Sequence, residues 1–413
     1  VEIVASRVVA QFKFCIISSI LCLFSCNNIY GDEQYKGLKD FEEVLNIVHK
    51  QYVDEVDNKK LIESAINGML NSLDPYSSFL NREEYESIKS SAKGEFGGIG
   101  AELNMEQGFA KVISSYKAWP AYKAGIKPGD IIVMIDDEQI GGISINQVAD
   151  KLKGEPGSQV RLKIYREPGE IKEFVVIREV IKLTPVKIVF YPNDKVIHAR
   201  VGIFNDKTSI ILKNELQAIM DANSPIRGLV LDLRDNPGGI LDQAVEVSRL
   251  FLSKGKIVSL KTRYNDDEVV YSADGNDVIK NASMVVLINN GSASSAEIVA
   301  GALQDNQRAL IMGQKSFCKG LVQNLIPFSN GSAIKLTTAK FYTPLGKSIQ
   351  EDCIVPDIEV VDASNRAVSN GAHSNNLRDF VNKKPSIGDM AHDYPLQRAI
   401  DLVKGISLYK ENK

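Results

Sequence analysis

Ser294 stands where an apolar run, Met284-Val-Val-Leu-Ile288, gives way to a helical one, Ser295–Leu303. Lys319 follows a short way on, between Phe317 and Leu321-Val322. A serine hydroxyl is a poor nucleophile unless a base lies within hydrogen-bond reach. Lysine can be that base only where desolvation disfavours its ammonium form and pulls its pKa down from ~10.4. The apolar neighbours of Lys319 offer such surroundings. No histidine is close in sequence, and His49, His198, His373 and His392 lack the context of a Ser-His-Asp triad. A hydroxyl paired with an uncharged amine is chemistry for peptide-bond hydrolysis without histidine.

These groups need elements to hold them. Gly228-Leu-Val-Leu-Asp-Leu233 and Met284–Ile288 read as buried strands, and Leu241–Leu252 and Ser295–Leu303 as helices. Ala309–Met312 adds a third strand, and Leu321–Phe328 with Ala333–Phe341 reads as a hairpin about Ser329-Asn-Gly. Repeated β-α-β units predict an α/β core between residues 181 and 362. Ahead of it, residues 34–93 carry helical stripes at Phe41, Val44, Leu45, Val48 and Tyr52, and again at Leu61, Ala65, Met69 and Leu70. Asp74-Pro75 breaks that pattern and Asn81 caps a further helix. This region reads as scaffolding and as a candidate homodimer surface. Residues 363–413 are a polar tail with a last helix at Pro395–Lys404.

Residues 94–180 differ in character. Phe96-Gly-Gly-Ile-Gly100 precedes alternating strand-like stretches and Trp119-Pro-Ala-Tyr-Lys-Ala-Gly-Ile-Lys-Pro-Gly-Asp130. A helix at Ile145–Leu152, a Gly154-Glu-Pro-Gly turn and a strand at Val160–Tyr165 follow. The segment resembles a PDZ domain of the protease-associated kind. Phe96, Gly97, Gly98, Ile99 and Gly100 are then the expected peptide-binding residues, because backbone N–H groups of a Gly-rich loop can hold a carboxylate while a strand edge pairs with an extended peptide.

The chain from Leu38 to Val361 resembles the C-terminal-processing peptidases, also called tail-specific proteases. Gly291-Ser-Ala-Ser294-Ser-Ala-Glu297 matches the family's nucleophile run, with Ser295 and Ala296 swapped, and implies Ser294 as nucleophile. Phe317-Cys-Lys319-Gly-Leu-Val-Gln323 matches the base motif and implies Lys319 as base with Gln323 orienting it. Leu231-Asp-Leu-Arg-Asp-Asn-Pro-Gly-Gly239 implies the Gly239 N–H as one oxyanion donor. The Ser295 N–H, at the start of the following helix, is the other. The resemblance implies a crotonase/Clp-protease-like β-α-β core with the PDZ domain inserted after the N-terminal helices. The implied substrates are unfolded proteins or proteins with exposed apolar C-termini. Two departures stand out: Cys318 and Cys353 replace usual glycines, and a disulfide between them is our expectation for an exported enzyme.

Export is read from residues 1–26. Arg7 and Lys13 precede an uncharged run, Phe14–Phe24, of about eleven residues, within the ~7–15 of a secretory signal core and short of the ~20 of a spanning helix. Leu23-Phe-Ser-Cys26 resembles a lipoprotein cleavage box, which makes Cys26 a candidate lipid anchor in a periplasmic or cell-envelope protein. A net charge of -3 gives no reason to expect nucleic acid as partner. Without a Cys-x-x-Cys pair or His-rich cluster, neither a zinc site nor a cofactor is expected. Two other readings stay open: a catalytically inactive PDZ-containing peptide-binding protein, and a crotonase-type acyl-CoA enzyme.

Overall fold

The computed structural model describes residues 36–106, 108–115, 119–143, 145–166, 169–182, 184–263, 268–280, 282–361 and 393–411. Residues 1–35, on which the expected signal segment and Cys26 fall, and residues 362–392 of the tail lie outside the described residues. The chain divides into two compact units, Val1–Pro75 and Tyr76–Lys413.

In the first unit, α1 (Lys36–Gln51) and α2 (Asn58–Asn71) follow the two predicted stripes. Asp57 caps α2, its carboxylate accepting from Lys59 N at 2.8 Å. Leu38, Phe41, Val44 and Ile47 of α1 are all exposed.

The second unit opens with a short strand that the sequence reading did not foresee, β1 (Ser78–Leu80), and then α3 (Arg82–Ala92). Asn81 and Glu84 form a reciprocal capping box at 2.9 Å each way. β2 (Glu95–Gly98) pairs antiparallel with β9 (Glu179–Lys182) and so brackets the PDZ-like segment at its base. Inside the bracket lie β3 (Ala101–Glu106), β4 (Phe109–Ser115), α4 (Pro120–Lys123), β5 (Ile131–Ile135), β6 (Glu138–Gln139), α5 (Ile145–Leu152), β7 (Gln159–Arg166) and β8 (Glu170–Ile177). The sheet runs β3-β4-β5-β7-β8, leaving β3 on an edge. Its core is Ala110, Val112, Ile132, Val148, Leu162 and neighbours. The Lys-Pro-Gly-Asp motif has a structural reason: buried Asp130 accepts from Lys127 N at 2.8 Å and takes both Nε and Nη2 of Arg166 at 2.7 Å.

The remaining chain forms a layered core. β10 (Val186–Tyr191) and β11 (Val196–Val201) are a hairpin, followed by α6 (Thr208–Asn223), β12 (Gly228–Asp232), α7 (Leu241–Arg249), β13 (Lys256–Thr262) and β14 (Glu268–Ser272). Then come β15 (Ser283–Ile288), α8 (Ser295–Asp305), β16 (Leu310–Gly313), β17 (Leu321–Pro327), β18 (Ala333–Tyr342), α9 (Ile349–Asp352), β19 (Ile358–Glu359) and α10 (Tyr394–Glu411). One sheet runs β10-β11-β12-β15-β16-β19, parallel except at β10–β11. β12 and β15 are buried along their whole length, as unbroken Val/Leu/Ile runs demand when both faces are covered. Leu229, Leu231, Met284 and Val286 face the main core, whereas Val230, Val285 and Leu287 face Leu396, Ala399, Ile400 and Val403 of α10. A second, antiparallel sheet orders β1-β18-β13-β14, with β17 also on β18.

Candidate active site

Parallel strands deliver their C-terminal ends to one edge, and two chemistry-bearing turns leave from there. The turn after β12 is locked by buried Asn236, which donates to Val201 O at 2.7 Å and accepts from Gly238 N at 2.8 Å. The backbone of Asn236 accepts from Ala293 N at 2.9 Å, joining this turn to the one that carries Ser294. Gly238 has φ 100, and a Cβ there would lie 2.8 Å from Ser294 Cβ. Only glycine allows that approach. A Cβ on Gly239, at φ 143, would collide with the Phe204 carbonyl.

Ser294 ends the β15–α8 turn with φ 54, left-handed for a non-glycine residue. Such strain persists only where the surroundings over-determine it. The motif's neighbouring serines are otherwise engaged. Ser292 donates to Leu233 O at 2.8 Å, and buried Ser295 donates to Gly239 O at 3.0 Å. Ser294 alone of the three is not fully buried. Among the described residues, neither Gly239 N–H nor Ser295 N–H is given to a protein acceptor.

A residue missed from sequence organises the site. Glu297, in the first turn of α8, is fully buried. Its Oε2 accepts from Ser294 N at 2.7 Å and Lys319 N at 2.9 Å. Its Oε1 accepts from Cys318 N at 2.8 Å and Ser316 Oγ at 2.5 Å. One carboxylate therefore fixes the backbone of the serine and of the lysine together. Burial pushes the Glu297 carboxyl above its ordinary value, with these donors working against the shift. The signal was present, because an acidic residue three places past the cap of a helix is a capping pattern, but its second pair of partners is tertiary.

Lys319 is half-buried, and burial lowers its pKa from 10.5, helped by the charge of Lys335 and opposed by Glu297. Its Nζ lies 4.9 Å from the centre of the Tyr76 ring. Among the described residues, no hydrogen bond joins Lys319 Nζ to Ser294 Oγ. On either side the lysine is anchored to α9. Cys318 is bridged to Cys353, with Cα atoms 4.4 Å apart, as expected from sequence. Gly320 N donates to Gln350 Oε1 at 2.9 Å. Gln323 follows a β-bulge and donates from Nε2 to Thr337 Oγ1 at 3.3 Å, while Thr337 N donates to Ser77 Oγ at 3.1 Å. Of the PDZ-loop residues, Phe96, Gly97 and Gly98 lie in β2, and Ile99 and Gly100 turn into edge strand β3.

A strained serine at a strand-to-helix corner, beside unengaged amides and a desolvated lysine, has the architecture of a serine hydrolase. The comparisons with known proteins narrow the class. Residues 200–360 match peptidase family S41, residues 112–166 a PDZ domain, and residues 25–84 the N-terminal domain of the activating protease CtpB. The chain is 44% identical over 352 residues to a carboxy-terminal-processing protease of Bartonella bacilliformis, covering 83% of this chain and 80% of that one. It is 33% identical over 394 residues to a probable CtpA-like serine protease of Staphylococcus epidermidis, covering 94% and 79%. A solved structure of a photosystem II D1 C-terminal processing protease superposes with a TM-score of 0.51 at 29% identity, covering 78% of this chain and 92% of that one. The chain belongs to peptidase family S41, among the carboxy-terminal-processing proteases with a PDZ domain. The acyl-CoA alternative therefore falls.

Proposed function

We propose that this serine protease hydrolyses its substrates with Ser294 as nucleophile and Lys319 as general base. Ser294 Oγ attacks the scissile carbonyl carbon as its proton passes to the neutral Lys319 amine. The Gly239 and Ser295 N–H groups receive the oxyanion of the tetrahedral intermediate. The resulting Lys319 ammonium returns the proton to the departing amine, and water then attacks the acyl-Ser294 ester with Lys319 again as base. The observation that carries this reading is the shared anchoring of the Ser294 and Lys319 amides on one Glu297 carboxylate. Gln323, in the strand β17 that follows Lys319, is read as the partner that orients the base, and its Nε2 donates to Thr337 Oγ1 at 3.3 Å.

The PDZ domain, in this reading, captures an apolar and unstructured C-terminus. Edge strand β3 offers main-chain pairing, the Ile99-Gly100 turn receives the carboxylate, and α5 flanks the groove. The protein is exported to the periplasm or cell envelope, held by a lipid on Cys26, and forms a homodimer through the exposed apolar residues of α1. A peptide ending in an unstructured apolar tail tests the catalytic reading. Ser294→Ala and Lys319→Ala should each lose cleavage by at least ~10³-fold with melting behaviour retained. Full activity in either variant overturns the assignment.

A further inference from the structure

The lysine is seated against an aromatic ring that comes from the far end of the second unit's chain. Tyr76 opens that unit directly after Asp74-Pro75. Its backbone neighbourhood is fixed: Ser77 is buried and accepts from Thr337 N at 3.1 Å, and β1 continues in register with β18 as Ser78↔Lys335, Phe79↔Ile334 and Leu80↔Ala333. Tyr76 is thus held beside the strand that also carries Lys335 and receives Gln323. The ring centre lies 4.9 Å from Lys319 Nζ, within the ~6 Å over which a ring face attracts a cation.

That contact favours one protonation state. An aromatic quadrupole attracts the ammonium and does little for the neutral amine. A base poised against Ser294 needs the opposite state and a hydrogen bond that this arrangement lacks. We propose that Tyr76 is a positioning residue for the base: its ring seats the protonated Lys319 side chain away from Ser294, and catalysis requires the amine to leave that seat. The inference rests on Lys319 being the base. The groups acting on Lys319 are Tyr76 ahead of β1, Lys335 on β18, which disfavours its charge, and Glu297 on α8, which favours it. Tyr76 therefore works with Glu297 and against burial. It keeps the resting enzyme idle at pH values where a merely desolvated lysine would already be free to act.

The pH profile of kcat/KM on the apolar-tailed peptide, in the full chain, tests this. Tyr76→Phe keeps the ring face and leaves the acid limb where it is. Tyr76→Leu keeps apolar burial without the quadrupole and moves that limb to lower pH by about half a unit, roughly threefold in proton affinity. Pentafluorophenylalanine incorporated at position 76 preserves the ring's shape, reverses its quadrupole, and moves the limb in the same direction. This third variant covers the case in which Tyr76→Leu fails to fold. Titration of Lys319 by NMR in the Ser294→Ala protein, with and without the ring replacement, reads the same shift without activity. An unmoved limb and an unmoved Lys319 titration in the Leu and pentafluoro variants overturn the role of Tyr76. Retained activity in Lys319→Ala instead overturns the base assignment beneath it, so the two failures are distinguishable.

Discussion

At the residue scale, one buried carboxylate ties the backbone of the proposed nucleophile to that of the proposed base. Glu297 accepts from Ser294 N, Lys319 N, Cys318 N and Ser316 Oγ. A glutamine there keeps one acceptor oxygen. With its NH₂ toward Ser316 Oγ, which can accept, the Cys318 N–H is left unpaired; turned the other way, the Ser294 and Lys319 N–H groups are, at about 1–3 kcal/mol each. Glu297→Gln should lower kcat by about 10²-fold or more with KM little changed, and lower the melting temperature as well. Unchanged kcat would show that the shared anchor does not align the pair. The pH dependence has a definite sign. Burial lowers the Lys319 pKa from 10.5, so the neutral amine accumulates at lower pH than for an ordinary lysine. With Lys319 as the proposed base, activity should therefore rise as pH increases through the lowered value and be lost below it as Lys319 protonates. A flat profile from mildly acid to alkaline pH speaks against lysine as the base.

At the scale of elements, α9 acts as a clamp on the loop that carries Lys319. Cys353 caps α9 at φ 59 and bridges to Cys318 at φ 74, while Gln350 holds Gly320 on the other side of the lysine. The bridge closes 35 residues, which in the chain-entropy picture is worth about 3–4 kcal/mol. Both positions have positive φ, which glycine adopts freely and serine only with strain. Replacing both cysteines by glycine should remove sensitivity to dithiothreitol and keep more activity than replacing both by serine. The wild type, once reduced, should fall towards the serine pair in both activity and melting temperature. Two thiols that alkylate freely in the native, unreduced protein would end this account. The elements legible in the sequence were those with an unambiguous period. The α5 helix matches its predicted bounds, and β12, β15, β17 and β18 match theirs within a residue or two. β1 was not legible, because three residues next to an Asp-Pro break carry no period and pair with a strand far along the chain. Tyr76 was hidden for the same reason. Ser294 and Lys319 are singled out by their motifs, whereas the contacts that hold them, to Glu297, the α9 segment and the Tyr76 ring, are tertiary and leave no local pattern.

On the scale of the whole molecule, the end of the described chain reaches back to the turn that carries Gly239. The α10 helix extends from Tyr394 to Glu411, longer than its apolar pattern suggested, and covers the second face of the parallel sheet. Just ahead of it, Asp393 takes Nη1 and Nη2 of Arg234 at 2.8 Å each, and Arg234 also grips Asp232 through Nε at 2.9 Å and Nη2 at 2.7 Å. Burial by itself would raise the Asp232 carboxyl. The hydrogen bonds and charge of Arg234, with His198 and Arg200, outweigh it and hold that carboxyl far below its ordinary 3.8. A depressed aspartate contributes stability that is fully present above its unfolded value and lost only as pH falls through the folded one. The Asp232 end of this staple therefore survives mild acid, and with Lys319 as the proposed base the acid limb of activity is expected to follow Lys319 rather than Asp232. Removing one member of a buried ionic cluster typically costs about 3–5 kcal/mol, because a charge is left uncompensated. Asp393→Ala should lower the melting temperature of the catalytic core by about 5–10 °C. It should also lower kcat, since Arg234 precedes the Gly238-Gly239 turn and steadies it. Asp393→Asn, which keeps one acceptor, should fall between that variant and the wild type. If both variants melt and turn over like the wild type, α10 merely covers the sheet and has no hold on the oxyanion turn.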